Sequence, residues 1–247
     1  ARKALELEPR LAEARSALGL IAFQYDWNWE LAERELSSAV AQNPNYATGR
    51  HYFADYLKGM GRFDEAYEQI RLAKELDPLS LAISSGVGHV LYLSRRYDEA
   101  IAAYKAVLDL DPKFMQARLW FGRPYLQKGL FEQALSELKQ ADELTGGSTI
   151  SKAVLAHAYA SAGQPEKAQE LLQLLLERRD RQYVACYFIA LVYVGFGDRE
   201  QAFKWLDLAR EERSAWLAWA MVEPRFDSLR SDPRWADLMR SIGFPTS

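Results

Sequence analysis

The stretch Gly61–Pro78, GRFDEAYEQIRLAKELDP, reads as a turn, an amphipathic helix and a stop. Asp64 and Glu65 fall in the first helical turn, where the helix dipole favours anions. Pro78 lacks the N–H that a continuing helix needs. Ala66 within this stretch belongs to a ladder, Ala32, Ala66, Ala100, Ala134, Ala168 and Ala202, whose steps are all 34 residues. The stop recurs as Pro44 and Pro112. A fixed period of this length, with two helices in each unit, marks a stacked repeat architecture.

Working outward, each ladder alanine lies on the second helix of a pair. The first helices carry a parallel series of small residues, Gly19, Ala54, Gly88, Gly122, Ala156 and Ala190. Helices approach to about 8–10 Å where side chains at the crossing are small, so the two series are expected to face each other. The first unit departs from the period. Its Gly19-to-Ala32 gap is one residue longer than Gly88-to-Ala100, and the extra residue is expected in the turn YDWNWE. Trp27 and Trp29 there either pack over the turn of their own unit or form an exposed knob. Asn45 is placed to cap the helix after Pro44. Pro165 suits a first helical turn, and Pro124 falls inside a helix.

The ends read differently. ARKALELE, before Pro9, resembles the close of a second helix without its partner, so residues 1–9 read as the end of a truncated upstream repeat, and the chain as a fragment. Residues 10–212 hold six units. Residues 213–247 lose the pattern: SAWLAWAMVEP is a short apolar helix, and Asp232-Pro233 starts another with Trp235, Leu238, Met239 and Ile242 on one face. A degenerate unit capping the exposed end of the stack is the expectation.

Composition limits function. With 49% apolar and 26% charged residues the chain is neither disordered nor rich in spans, and it lacks an apolar run of about 18 residues, so no membrane association is expected. Nothing at the start reads as a signal peptide. A net charge of −3 without a basic block points away from nucleic acid as a partner of this segment. Arg178, Arg179 and Arg181 are read as cations at a helix C-terminus, with a phosphate site as the alternative. The single cysteine, Cys186, excludes an internal disulfide and fits a reducing, cytoplasmic setting; in YVACYFIALVYV it reads as a buried small hydrophobe. No phosphate-cradling glycine loop, GxSxG or HExxH occurs, so no catalytic residues and no cofactor are assigned.

These residues resemble the tetratricopeptide repeat family over nearly the whole chain, and WFGRPYLQKGLFEQALSELKQA is close to its consensus. The resemblance implies an all-α fold: a right-handed α-solenoid of about six helix pairs with a C-terminal capping segment, each pair touching its neighbours, around an inner groove lined by first helices. YDWNWELAERELSSAVAQNPNYA, SRRYDEAIAAYKAVLDLDP and VEPRFDSLRSDPRW also look like the C-terminal repeat region of large bacterial signalling proteins. There the repeats follow a winged-helix domain, a serine/threonine kinase or a nucleotide cyclase, which implies a regulatory parent.

On that geometry two rows of residues line the groove. One is Leu20, Asp55, His89, Arg123, His157 and Leu191; the other is Ser16, His51, Ser85, Leu119, Ala153 and Tyr187. The candidate partner-binding set is His51, Asp55, Ser85, His89, Leu119, Arg123, His157 and Tyr187. A solvated inner wall explains these residues as well as a polar groove for a protein or peptide segment does. Arg123 is placed to pair with an acidic group of a partner. Asp55, four residues after His51, is expected to favour the charged imidazole and to make binding pH-sensitive. His51, Asp55 and His89 as metal ligands are the sharper alternative, not adopted because zinc wants three or four ligands and His157 lies too far along the stack. The carboxylate clamp of some family members needs groove lysines and asparagines, which these positions lack. The functional expectation is a non-catalytic interaction and sensing scaffold; a homodimerisation module using an exposed end or the tail tryptophans, or a small-ligand receptor, are the alternatives.

Overall fold

The computed structural model describes residues 1–245; the last two residues of the expected capping segment lie outside that range. A short helix α1, Arg2–Leu7, precedes six antiparallel pairs. The first helices are α2 (Ala12–Ile21), α4 (Ala47–Gly59), α6 (Leu81–Leu93), α8 (Met115–Gln127), α10 (Thr149–Ser161) and α12 (Cys186–Phe196). The second helices are α3 (Trp29–Gln42), α5 (Phe63–Leu76), α7 (Tyr97–Leu110), α9 (Phe131–Leu144), α11 (Pro165–Arg179) and α13 (Arg199–Glu211). Two 3-10 helices, Ala215–Trp219 and Pro224–Leu229, and α14, Pro233–Ser241, follow. No strand occurs among the described residues. The chain is an α-solenoid with a C-terminal capping segment.

Local chemistry sets the helix ends. Asn28, Ser80, Ser148, Asp198 and Asp232 accept hydrogen bonds from backbone N–H groups that the first turn leaves free. Asn45 does not cap α4; the N-cap is Tyr46, which gives no side-chain bond. A different device ties that corner. Arg15, Arg50 and Arg118, each six residues after a repeat proline, donate to the carbonyls of Pro9 (2.8 Å), Pro44 (2.7 Å) and Pro112 (2.9 Å). Each also reaches the paired second helix, at Glu35, Gln69 and Glu137.

All six ladder alanines are fully buried. The first-helix glycines do not face them alone. A methyl group on Gly88 would meet the Tyr104 ring at 2.7 Å, and one on Gly122 would meet Leu138 at 2.5 Å. The small residues therefore make room for a large second-helix side chain one turn beyond the alanine. The extra residue of the first unit is absorbed as a π-helical turn at Ala22–Asp26, which starts ahead of the expected turn and runs into its Tyr25 and Asp26. It leaves Trp27 left-handed, with φ of 50°.

The C-terminal segment corrects the expectation of a hollow inner wall. From Ser214 the chain turns back and runs through the superhelix. Trp219 packs edge-on against Phe23 at 5.3 Å and donates to the Asp55 carbonyl (3.1 Å). Phe226 packs on Tyr187 at 5.4 Å, and Arg95 holds Asp227 through both oxygens (2.7 and 3.0 Å). Trp29 is not an exposed knob. Beyond Phe23 of its own unit, at 5.9 Å, it meets the tail: it stacks edge-on with Phe244 (5.2 Å) and donates to the Ile242 carbonyl (3.3 Å). Units far apart in sequence thus share one apolar cluster reaching from Ala22 to Phe244. The cause is composition: the tail is too apolar to cover only the last pair, and the concave face offers the matching aromatic surface.

Candidate functional site

The first helices bring the expected residues to the inner wall, but the tail covers most of them. Ser85, His89, Arg123, His157 and Tyr187 are each 4% exposed or less. His51, Asp55 and Leu119 stay partly accessible. The tail tryptophans turn inward too: Trp219 and Trp235 are buried, and Trp216 packs on Phe188 at 5.0 Å.

At the centre lies a charged hub that sequence reasoning missed. Glu223 takes two hydrogen bonds from the Arg225 guanidinium (both 2.8 Å), a third from the Arg225 backbone N–H (3.3 Å) and one from the Tyr92 hydroxyl. Arg123 stands nearby with its guanidinium over the Trp120 ring at 5.7 Å. Burial by itself would raise the Glu223 carboxyl; the charge and hydrogen bonds of Arg225, helped by Arg123 and Tyr92, hold it down to about 2. Arg225 thus pairs with the carboxylate, and Arg123 feels its charge without bonding to it. Nε of Arg123 and Nη1 of Arg225 are buried without a hydrogen-bond partner among the described residues. Burial, then the charge of Arg225, lowers the Arg123 pKa. Arg123 is therefore part of this hub and does not stand open to an acidic partner. The motif VEPRFDSLRSDPRW carried the signal: it supplies Glu223, Arg225, Phe226 and Asp227.

The histidines are neutral structural groups. His157 shares a 2.7 Å hydrogen bond with the Leu191 carbonyl, so Nδ1 carries the hydrogen. Burial, with Arg225 adding, pushes its pKa down to about 4. His89, 4.5 Å from Trp120 between ring centres, is driven well below its ordinary value by burial and then by Lys58. His51 corrects a second expectation. Burial lowers its pKa and outweighs Asp55, which lies 3.9 Å away and pulls the other way. Asp55 is instead engaged by the buried ammonium of Lys58. Among the described residues no three His, Cys, Asp or Glu side chains gather as a metal site.

Two further groups have structural partners. Arg178 donates to the Gly147 carbonyl (2.7 Å) and Arg179 to that of Val184 (3.0 Å). Cys186 is fully buried, and burial, with Glu212, pushes its thiol up to about 11.

What remains open on the inner wall is a cavity of ≈ 370 Å³ between the first four helix pairs and the tail. Its lining includes His51, Tyr52, Asp55, Lys58, Trp120 and Trp219. The π turn adds Gln24 and Tyr25, which an uninterrupted α2 would aim elsewhere.

A stack of helix pairs enclosing an aromatic cavity defines a helical-repeat scaffold. Tetratricopeptide repeat family models match residues 51–113, 91–157 and 125–185. Together these cover more than half of the chain, which belongs to the tetratricopeptide repeat family, a class of protein–protein interaction scaffolds. A curated relative, the type IV pilus assembly protein PilF of Pseudomonas aeruginosa, is 32% identical over 74 residues, 30% of this chain and 29% of its own length. The match therefore spans less than a third of that relative. The solved structure of PilW, a type IV pilus biogenesis factor, superposes with a TM-score of 0.61 at 18% identity, covering 92% of this chain and 98% of that one. Pseudomonas aeruginosa pilF gives 0.57 at 20%, covering 87% and 98%. A thermophilic repeat protein of Thermus thermophilus gives 0.56 at 17%, covering 79% and 98%. At these identities the likeness is one of fold. No helix among the described residues is long and apolar enough to cross a membrane.

Proposed function

We propose that this chain is a non-catalytic protein-interaction and sensing scaffold that receives a protein segment on the uncovered part of its inner wall. His51, Asp55 and His89 line that part, and Leu119, partly accessible, follows Gln116 on the same helix. Ser85, Arg123, His157 and Tyr187 lie buried behind it, where Tyr187 packs on Phe226 of the tail and Arg123 stands by Glu223. The observation that carries the reading is the aromatic cavity left open on the concave face beside the tail. Recognition pockets combine apolar walls with a few convergent polar groups, as this one does. The role as part of a bacterial, cytoplasmic signalling or transcription regulator rests on the three sequence stretches that look like the repeat regions of such proteins.

The test is selection of displayed protein segments on the purified chain, with a Gln116→Trp variant as the counter-target. Gln116 lines the cavity and is half-exposed, so the larger side chain fills the space while the helix is kept. Segments that bind the parent chain and lose at least tenfold in affinity for the variant support the reading. No enrichment on the parent chain over the variant overturns it.

A further inference from the structure

The cavity has a chemistry more specific than its apolarity. Its volume, ≈ 370 Å³, falls at the low end of ligand sites, which run about 300–1,000 Å³. Aromatic rings form its walls: Tyr52 and Trp120 from first helices, Trp216 and Trp219 from the tail. Trp216 and Trp219 lie 6.1 Å apart, and Trp120 lies against His89 at 4.5 Å. Rings stacked offset or edge to face gain attraction beyond area burial, which an aliphatic guest forgoes.

Charge narrows the guest further. The Asp55 carboxylate is matched by the Lys58 ammonium, which also lies 5.8 Å from the centre of the Trp219 ring. His51 and His89 are held neutral by burial. A cation entering the cavity meets Lys58, and an anion meets Asp55. Neither finds an unmatched charge to repay its lost hydration. The polar groups within reach, Gln24, Gln116 and His51, suit the polar edge of a neutral ring.

We infer that the cavity receives an uncharged planar aromatic group, packed against Trp120 and Trp219. Resting on the function proposed above, this names the anchor of the bound segment: a tryptophan, tyrosine or phenylalanine side chain. A free heteroaromatic molecule shares the same chemistry, and the experiment separates the two sources.

The experiment is calorimetric titration of the whole chain with N-acetyl-tryptophanamide, N-acetyl-leucinamide and indole. It is repeated on Trp120→Ala and Gln116→Trp, with circular dichroism confirming that both variants are folded. Expected is at least tenfold tighter binding of the tryptophan amide than of the leucine amide, and at least tenfold weakening in both variants. Equal affinities of the two amides, or binding unchanged in Gln116→Trp, overturn the inference. Displayed segments that bind at the cavity without any aromatic residue also overturn it, and leave the scaffold function standing. Binding of the amide and of indole, with no displayed segment enriched, supports the cavity chemistry and assigns it to a free molecule; the protein-segment reading then falls alone.

Discussion

The Tyr92 hydroxyl donates a hydrogen bond to the Glu223 carboxylate across 131 positions of sequence. One group stands on a first helix of the third pair and the other in the tail. Both are buried, so the bond forms only when the tail is threaded through the superhelix. Replacing Glu223 by glutamine leaves Arg225 and Arg123 as buried cations without an anion. The expected loss is about 3–5 kcal/mol of stability, since removing one partner of a buried pair strands the other. Tyr92→Phe removes one hydrogen bond and costs about 1–3 kcal/mol. Urea denaturation of both variants checks the order.

Arg123 behaves in the opposite sense. It has no anion of its own, its Nε lacks a partner, and Arg225 repels it. Arg123→Met keeps the stem that packs there and removes the charge. The expected outcome is stability unchanged or raised, by up to about 1–4 kcal/mol, as for other buried charges replaced by apolar groups of similar volume. A loss above about 1.4 kcal/mol, a factor of about ten in the folding equilibrium, would contradict this account of the hub.

Acid is expected to lower the stability of the protein over two pH ranges. His157 has a folded pKa of about 4 against an ordinary 6.5, so the unfolded chain binds the proton first. Its stabilising contribution is complete above about pH 6.5 and is lost as pH falls through 4. Glu223, at about 2 against 4.5, adds a second loss below about pH 4.5. Each shift corresponds to about 3 kcal/mol at most. Denaturation midpoints measured from pH 7 to 3 should fall; burial also lowers the pKa values of His89 and His51, so His157→Gln should make the limb below 6.5 shallower without abolishing it.

The repeat core makes a separate prediction. Ala100 is fully buried. Ala100→Leu overpacks its helix pair and should cost about 1–3 kcal/mol, read as a lowered melting temperature. Trp219→Ala, which empties the tail's contact with Phe23 and Asp55, should cost about 3–5 kcal/mol.

These sites differ in how far the sequence revealed them. The alanine ladder was legible because one steric requirement recurs at every crossing, and repetition turns a weak local preference into a strong signal. The six pairs and most of their boundaries follow from it. The tail was not legible in the same way. Trp219 meets Asp55, Tyr92 meets Glu223 and Trp29 meets Ile242 only once each, so no period announces them. The rows holding His51, His89, Arg123 and His157 lie on first helices. Their burial depended on a segment more than fifty residues further along the chain, whose destination local pattern does not encode. Arg15, Arg50 and Arg118 do carry a sequence signal, for their offset from the repeat prolines is constant.

The contact of Trp29 with Ile242 and Phe244 bears on how the molecule comes apart. An open helical stack behaves as a spring, free to lengthen and to unzip from either tip, because each unit answers only to its neighbours. Here a single strap runs through the bore and is latched near the opening turn of the coil. The spring is thereby clamped at a set pitch, and the tips lose their independence. Melting should proceed as one event, not as fraying that travels inward.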